Sequence, residues 1–171
     1  MMSLGILLPY TPLHLLLFDL PDGLSFPDSL VMTSGNPSGA PICRTDEEAA
    51  KHLAPIADLI LSHNREIRLQ ADDTVMDFYA GAPYVVRRSR GYAPLPLMLS
   101  ANFQGSVLGI GGELKNTFCL AQNSLFYASP YLGDMGDLRT VHALRQSLAR
   151  MKRLLGIRPE AVAADLHPHY E

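Results

Sequence analysis

Val31-Met32-Thr33-Ser34-Gly35-Asn36-Pro37-Ser38-Gly39-Ala40-Pro41-Ile42 is the stretch on which the reading of the fold turns. A short apolar, β-prone run, Leu30 to Met32, stops abruptly at a cluster of Ser, Gly, Asn and Pro. Small residues let a ligand approach the backbone, and Ser and Asn offer neutral hydrogen bonds. In α/β sheets, ligands bind at the C-terminal ends of strands. The same residue types also make ordinary turns, so from the residues alone a binding loop and a plain strand-to-loop turn both stand.

Outward from that stretch, Leu4–Leu8 and Leu30–Thr33 read as strands, and so does Ala57–Ser62. Thr11 followed by Pro12 predicts a capped helix over Leu13–Phe18. Thr45-Asp46-Glu47-Glu48 is a capping box, which predicts a helix from Asp46 to about Ala54. Thr74–Tyr79 and Tyr84–Arg88 read as two strands joined by an Ala80–Pro83 turn. Gly91–Gly105 is rich in Pro, Gly, Ser and Ala and reads as a connection. Beyond it, Val107–Gly111, Thr117–Ala121 and Leu125–Ser129 predict a three-stranded antiparallel meander. Val141, Leu144, Leu148, Met151 and Leu155 have helical spacing, Gly156 suits the helix stop, and Ala161–Leu166 reads as a closing strand. The class is mixed α/β.

Composition sets outer bounds. The chain has 171 residues, enough for one domain or two small ones, and is 47% hydrophobic and 18% charged, as in ordinary globular proteins. A net charge of −3 argues against a dedicated nucleic-acid binder, which carries a strong basic face. The apolar start, LGILLPYTPLHLLLF, is interrupted by prolines and too short to span a membrane, and it lacks the basic flank of a signal peptide. Cys43 and Cys119 show no metal-type spacing and read as reduced thiols, which places the protein in the cytoplasm.

Several groups have the chemistry for a site. Arg87, Arg88 and Arg90 form a compact cationic cluster suited to bidentate contacts with phosphate or carbamate oxygens, or to an exposed strand end. His63-Asn64-Arg65 follows a predicted strand and either contributes to the same pocket as these arginines or is a polar loop. Asp72-Asp73 either pairs with the arginines, holds a magnesium ion through water, or is simply solvated. Asp165-Leu166-His167-Pro168-His169 carries metal-ligand residue types, yet alternate positions of a strand face opposite ways, and no metal ligand is assigned to this chain.

Seven ordered motifs across nearly the whole chain carry a resemblance. TSGNPSG (33–39) resembles the T-S-[AG]-N-x-S-G segment of YrdC-like domains, whose fold binds ATP and makes carbamoyl-type adenylates. LPYTPLH (8–14), LSHNREI (61–67), ADDTV (71–75), RRSRGY (87–92), GGELKNTFCL (111–120) and DLHPHY (165–170) resemble segments of the hydrogenase maturation carbamoyltransferases, the HypF family. The resemblance implies the C-terminal part of a YrdC-like domain over 1–98, a linker at 99–105, and the start of a Kae1-like domain over 106–171. The second part would be the first half of an actin-like (ASKHA) lobe. It implies nucleotide contacts from Ser34 and Asn36, with Ser38 beside them, and from Arg87, Arg88 and Arg90. Actin-like folds bring their first hairpin to nucleotide phosphates, which points to Lys115, Asn116 and Thr117. The directly catalytic residues are not assigned.

The family uses carbamoyl phosphate and ATP, with magnesium a further candidate, and carbamoylates the C-terminal Cys of a HypE-like partner. No membrane partner is implied. The family's Lys-x-Arg phosphate-holding segment has no counterpart before Ser34, nor is there a Cys-x-x-Cys zinc motif, so the chain is expected to be a truncated and inactive piece. Tyr131 stands where the family commonly has His. A YrdC-type threonylcarbamoyl-adenylate synthase and a non-catalytic nucleotide-binding remnant are the alternatives.

Overall fold

Satisfying the backbone hydrogen bonds separates the parts of this chain that hold regular structure from those that do not. The computed structural model describes residues 6–20, 26–100, 103–168 and 170. By contact density the chain forms two units, 1–34 and 35–171.

In the first unit, helix α1 (Pro12–Phe18) starts where expected. The Thr11 hydroxyl accepts the His14 N–H, Pro12 occupies the first turn, and the Asp19 N–H closes on Leu15 O. Tyr10 packs edge-on against the His14 ring, and Phe18 against Phe26. The strand expected at Leu30–Thr33 does not form; Val31 is fully exposed and no ladder partner lies beside the run. A β-prone run without a partner gains nothing from extension, because its N–H and C=O groups stay unpaired. The strand expected over Leu4–Leu8 is irregular at 6–8, and Leu4 and Gly5 fall outside the described residues.

The second unit opens with helix α2 (Asp46–His52), fixed by the capping box: Glu48 N donates to Thr45 Oγ1, and the Thr45 N–H donates back to Glu48. The helix stops at His52, slightly short of Ala54. Ala57–Ser62 is not a strand; Leu59 and Leu61 lie exposed in irregular chain. β1 (Val75–Tyr79) and β2 (Ala82–Arg87) form an antiparallel ribbon. The turn is only Ala80-Gly81, both with positive φ (50° and 79°), so Ala82 and Pro83 belong to the strand. Pro83 is tolerated because both strands of a two-stranded ribbon are edges, where a missing N–H costs little.

The other sheet has the order β3-β6-β5-β4-β7. β4 (Ser106–Ile110), β5 (Phe118–Gln122) and β6 (Leu125–Ala128) are the expected meander. β3 (Leu97–Met98) lies inside the expected connection and pairs with β6. α3 (Leu138–Leu155) begins three residues before Val141, because the Asp137 carboxylate caps it by accepting the Arg139 N–H. It ends at Gly156 with φ 67°, the left-handed position that glycine tolerates. β7 (Ala161–Ala163) then returns parallel to β4. Leu108, Phe118, Leu120, Met151 and Ile157 make the core between sheet and helix, flanked by Leu144, Leu148 and Leu155. Meander, helix and parallel strand follow in the order that the motifs implied.

Candidate functional site

The loop after Ser34 is shaped by its asparagine. Asn36 Nδ2 donates to Pro37 O (3.0 Å) and Ala40 O (2.8 Å), and Cys43 N donates to Gly35 O (2.9 Å). Both amide hydrogens of Asn36 are thus spent on the turn, while its Oδ1 is buried with no hydrogen-bond partner among the described residues. Ser38 is exposed, and its hydroxyl makes no hydrogen bond among the described residues. Ser34, in the other unit, is likewise exposed. Gln70 Nε2 anchors the far side of the loop on Ile42 O at 2.6 Å.

The arginines stitch β2 to the 71–74 segment. Arg87 Nε donates to Asp73 O (2.8 Å), and Arg90 Nη2 donates to Ala71 O (3.0 Å). Arg90 also pairs loosely with the exposed Asp73 carboxylate at 3.5 Å. Arg88 Nη2 donates to Leu95 O, its guanidinium lies over the Tyr92 ring, and its Nε is buried with no hydrogen-bond partner among the described residues. Of the Asp72-Asp73 pair, Asp73 meets the arginine side chains through its carbonyl and, loosely, its carboxylate, while Asp72 O accepts the Arg90 backbone N–H. These contacts leave donor N–H groups on all three guanidiniums for an anion, each having five.

Gly111 to Thr117 joins β4 to β5. Asn116 is 1% exposed. Its Nδ2 donates to Gly111 O (3.0 Å) and Gly112 O (2.7 Å), and its backbone pairs with 132–133 through Asn116 N to Gly133 O and Leu132 N to Asn116 O. Lys115 sits at φ 53° with its backbone N–H donated to Asp134 Oδ1 at 2.7 Å. The Lys115 side chain is exposed and has no ion pair among the described residues. Gly111 is required: a Cβ there would lie 2.5 Å from Thr117 O.

Tyr131 connects the last two groups. The Arg87 guanidinium lies 5.3 Å above its ring, and residues 132–134 directly after it brace the Lys115 loop. Burial pushes the Tyr131 phenol up from its ordinary pKa, and the Asp134 and Asp72 carboxylates add to the shift against the opposing Arg87 charge. The phenol is therefore a neutral donor at pH 7. Sequence reasoning missed Asp134 altogether; its only signal was an Asp following Gly133 in a turn.

Two clefts lie beside the 37–49 segment, and neither is lined by Arg87, Arg88, Arg90 or the Lys115 loop. One of about 310 Å³ lies between α3 and the 37–44 segment, lined by Arg44, His52, Arg139 and His142 among others. Arg44 Nη1 crosses its floor to Gln146 Oε1 at 3.1 Å. The other, about 390 Å³, is lined by the capping-box turn and by Leu61 to Ile67, so His63, Asn64 and Arg65 line a cleft that does not include Arg87, Arg88 or Arg90. Among the described residues no cluster of His, Cys, Asp or Glu is gathered for a metal.

A family described as the HypF Kae1-like domain matches residues 102–171, and the Sua5, YciO and YrdC family, described as telomere recombination, matches 1–89. The chain belongs to the HypF family. It is 45% identical to carbamoyltransferase HypF2 of Cupriavidus necator, over 98% of this chain and 22% of that protein. It is 39% identical to carbamoyltransferase HypF of a Synechocystis strain, over 97% of this chain and 21% of that protein. Among solved structures, full-length HypF in a phosphate- and nucleotide-bound form superposes with a TM-score of 0.76 at 41% identity, over 81% of this chain and 22% of that one. T. kodakarensis HypF gives 0.75 at 38% identity, over 81% and 18%. The chain thus spans about a fifth of the length of the curated HypF relatives that it matches. The family match spans both the Asn36 loop and the Lys115 loop. Among the described residues no helix is long and apolar enough to cross a membrane.

Proposed function

We propose that this chain is the part of a cytoplasmic HypF carbamoyltransferase that joins a YrdC-like domain, ending near residue 98, to a Kae1-like domain beginning near 106. The enzyme would hydrolyse carbamoyl phosphate to carbamate and phosphate, and join the carbamate to ATP as carbamoyl adenylate with release of pyrophosphate. It would then pass the carbamoyl group to the C-terminal Cys thiolate of a HypE-like partner, for the cyanide ligand of nickel–iron hydrogenase. The observation that carries this is the presence, in order in one chain, of matches to two different family descriptions. A threonylcarbamoyl-adenylate synthase would account for the first and not for the HypF Kae1-like match.

Nucleotide would meet two loops. Ser34, Ser38 and the turn that Asn36 shapes offer neutral partners, and Arg87, Arg88 and Arg90 offer cations. Lys115 and Thr117, on the loop pinned by Asn116, would face phosphates in the second domain. Two observations on this chain fit such a ligand: the unpartnered Arg88 Nε and Asn36 Oδ1, and the exposed Lys115 cation on a braced loop. A related HypF structure also holds phosphate and nucleotide.

The test replaces the matching stretch of Cupriavidus necator HypF2 with these 171 residues and assays carbamoyl-phosphate-dependent ATP–pyrophosphate exchange. Exchange in the folded chimera, and none above background from the 171-residue chain alone, is expected. A folded chimera without exchange, or one driven by threonine and bicarbonate instead, rules the proposal out.

A further inference from the structure

Lys115 is held in a conformation that a lysine does not choose. Left-handed backbone is disfavoured for residues with a Cβ, and only Asn, Asp and Gly enter it readily. Yet Lys115 has φ 53°, and among the described residues its side chain makes no hydrogen bond or ion pair. What holds it is the short bond from its N–H to the Asp134 carboxylate, 2.7 Å long. A carboxylate accepting a backbone N–H makes a charge-assisted bond, about twice as strong as a neutral one.

Asp134 is itself placed by its neighbours. Gly133, at φ 114°, accepts the Asn116 N–H, and Met135 N donates to Glu113 O. The two chains are therefore cross-linked on both sides of the Lys115–Asp134 bond. Next along, Asp137 caps α3, so the brace ends on the first turn of an eighteen-residue helix packed on the sheet.

We propose that Asp134 is a positioning residue for Lys115: its carboxylate fixes the left-handed turn and so sets the direction in which the ammonium leaves the loop toward an anionic ligand. The consequence for ligand rests on the reading above, that this loop meets nucleotide phosphates; the positioning itself does not. Asp134 touches no ligand in this account.

The experiment has two readouts on the 171-residue chain. Exchange of the Lys115 amide proton is followed by nuclear magnetic resonance in the wild type, Asp134→Asn and Asp134→Ala. Asn keeps an oxygen acceptor at the same place but without the charge, so protection should fall only partly in Asp134→Asn and by about tenfold or more in Asp134→Ala, the factor expected for one lost charge-assisted bond. Equal protection in wild type and Asp134→Ala overturns the proposal. A loss confined to Lys115 and its neighbours, with the β4 and β5 amides unchanged, separates positioning from unfolding.

ATP is then titrated while the Thr117 amide is observed, which reports this loop alone. Apparent affinity should fall about tenfold in Asp134→Ala and in Lys115→Ala, and no further in the double variant. If Lys115→Ala leaves ATP binding unchanged while the amide result holds, the nucleotide reading of the loop is wrong and the positioning role stands. Full additivity in the double variant shows that Asp134 does not act through Lys115, and overturns the inference.

Discussion

Asn116 and Gly111 show how one side chain and one missing side chain shape a loop. Asn116→Ala would strip two carbonyls of their donor in a site that is almost fully buried. The expected cost is about 2–4 kcal/mol of stability, from unpaired acceptors and a small void. Gly111→Ala puts a Cβ 2.5 Å from a backbone oxygen that cannot swing away, so β4 and β5 must shift. Denaturant midpoints check both, and either variant matching the wild type contradicts the account. Asp137 adds a pH dependence. Its hydrogen bonds from the Arg139 side chain and N–H hold its carboxyl below the ordinary range. A depressed folded pKa contributes stability above the unfolded value, and that contribution is lost as pH falls through the folded value. Protection of the first turn of α3 should therefore drop below about pH 4, the ordinary carboxylate range, and be flat there in Asp137→Asn. The motifs singled out Asn116 and Lys115 as candidate site residues. They did not distinguish a side chain that touches ligand from one that holds the loop, because that depends on which donors the fold has already used.

At the scale of elements, local chemistry was legible wherever the sequence carried its own stop and start signals. The Thr45–Glu48 box gave α2, Thr11-Pro12 gave α1 and Gly156 ended α3, since each acts within a turn of chain. Thr45→Ala should cost about 1 kcal/mol. It should also speed exchange over Asp46–Ala49 while leaving β5 unchanged; no change in either would show the cap to be redundant. Leu30–Thr33 and Ala57–Ser62 failed as strands for the opposite reason. A strand is defined by a neighbour, and β-branched residues state only that a pleated, half-buried surface would suit them. The meander succeeded because its partners are adjacent in sequence. β3 was missed because two residues pairing across to β6 leave no period to read.

Across the whole molecule the apolar surface is divided unevenly. The β4–β7 sheet closes over α3, whereas the β1–β2 ribbon leaves Phe78 and Tyr79 more than two-thirds exposed, with Met76, Tyr84, Val85 and Val86 also in solvent. A two-stranded ribbon is marginal alone, and its free edges invite pairing with another chain. Amides of 75–87 should therefore exchange within seconds while those of 106–122 stay protected, in the same sample of the 171-residue chain. Light scattering should show association that rises with concentration and is reduced by charged substitutions at Phe78 and Val86. Those substitutions place charge on an exposed edge, a device that proteins use against edge pairing, and should leave the protection of 106–122 intact. A chain that stays monomeric at high concentration and unfolds in one sharp, reversible step would refute this. In that case the ribbon is stabilised by its own packing, and its exposed apolar residues carry no tendency to associate.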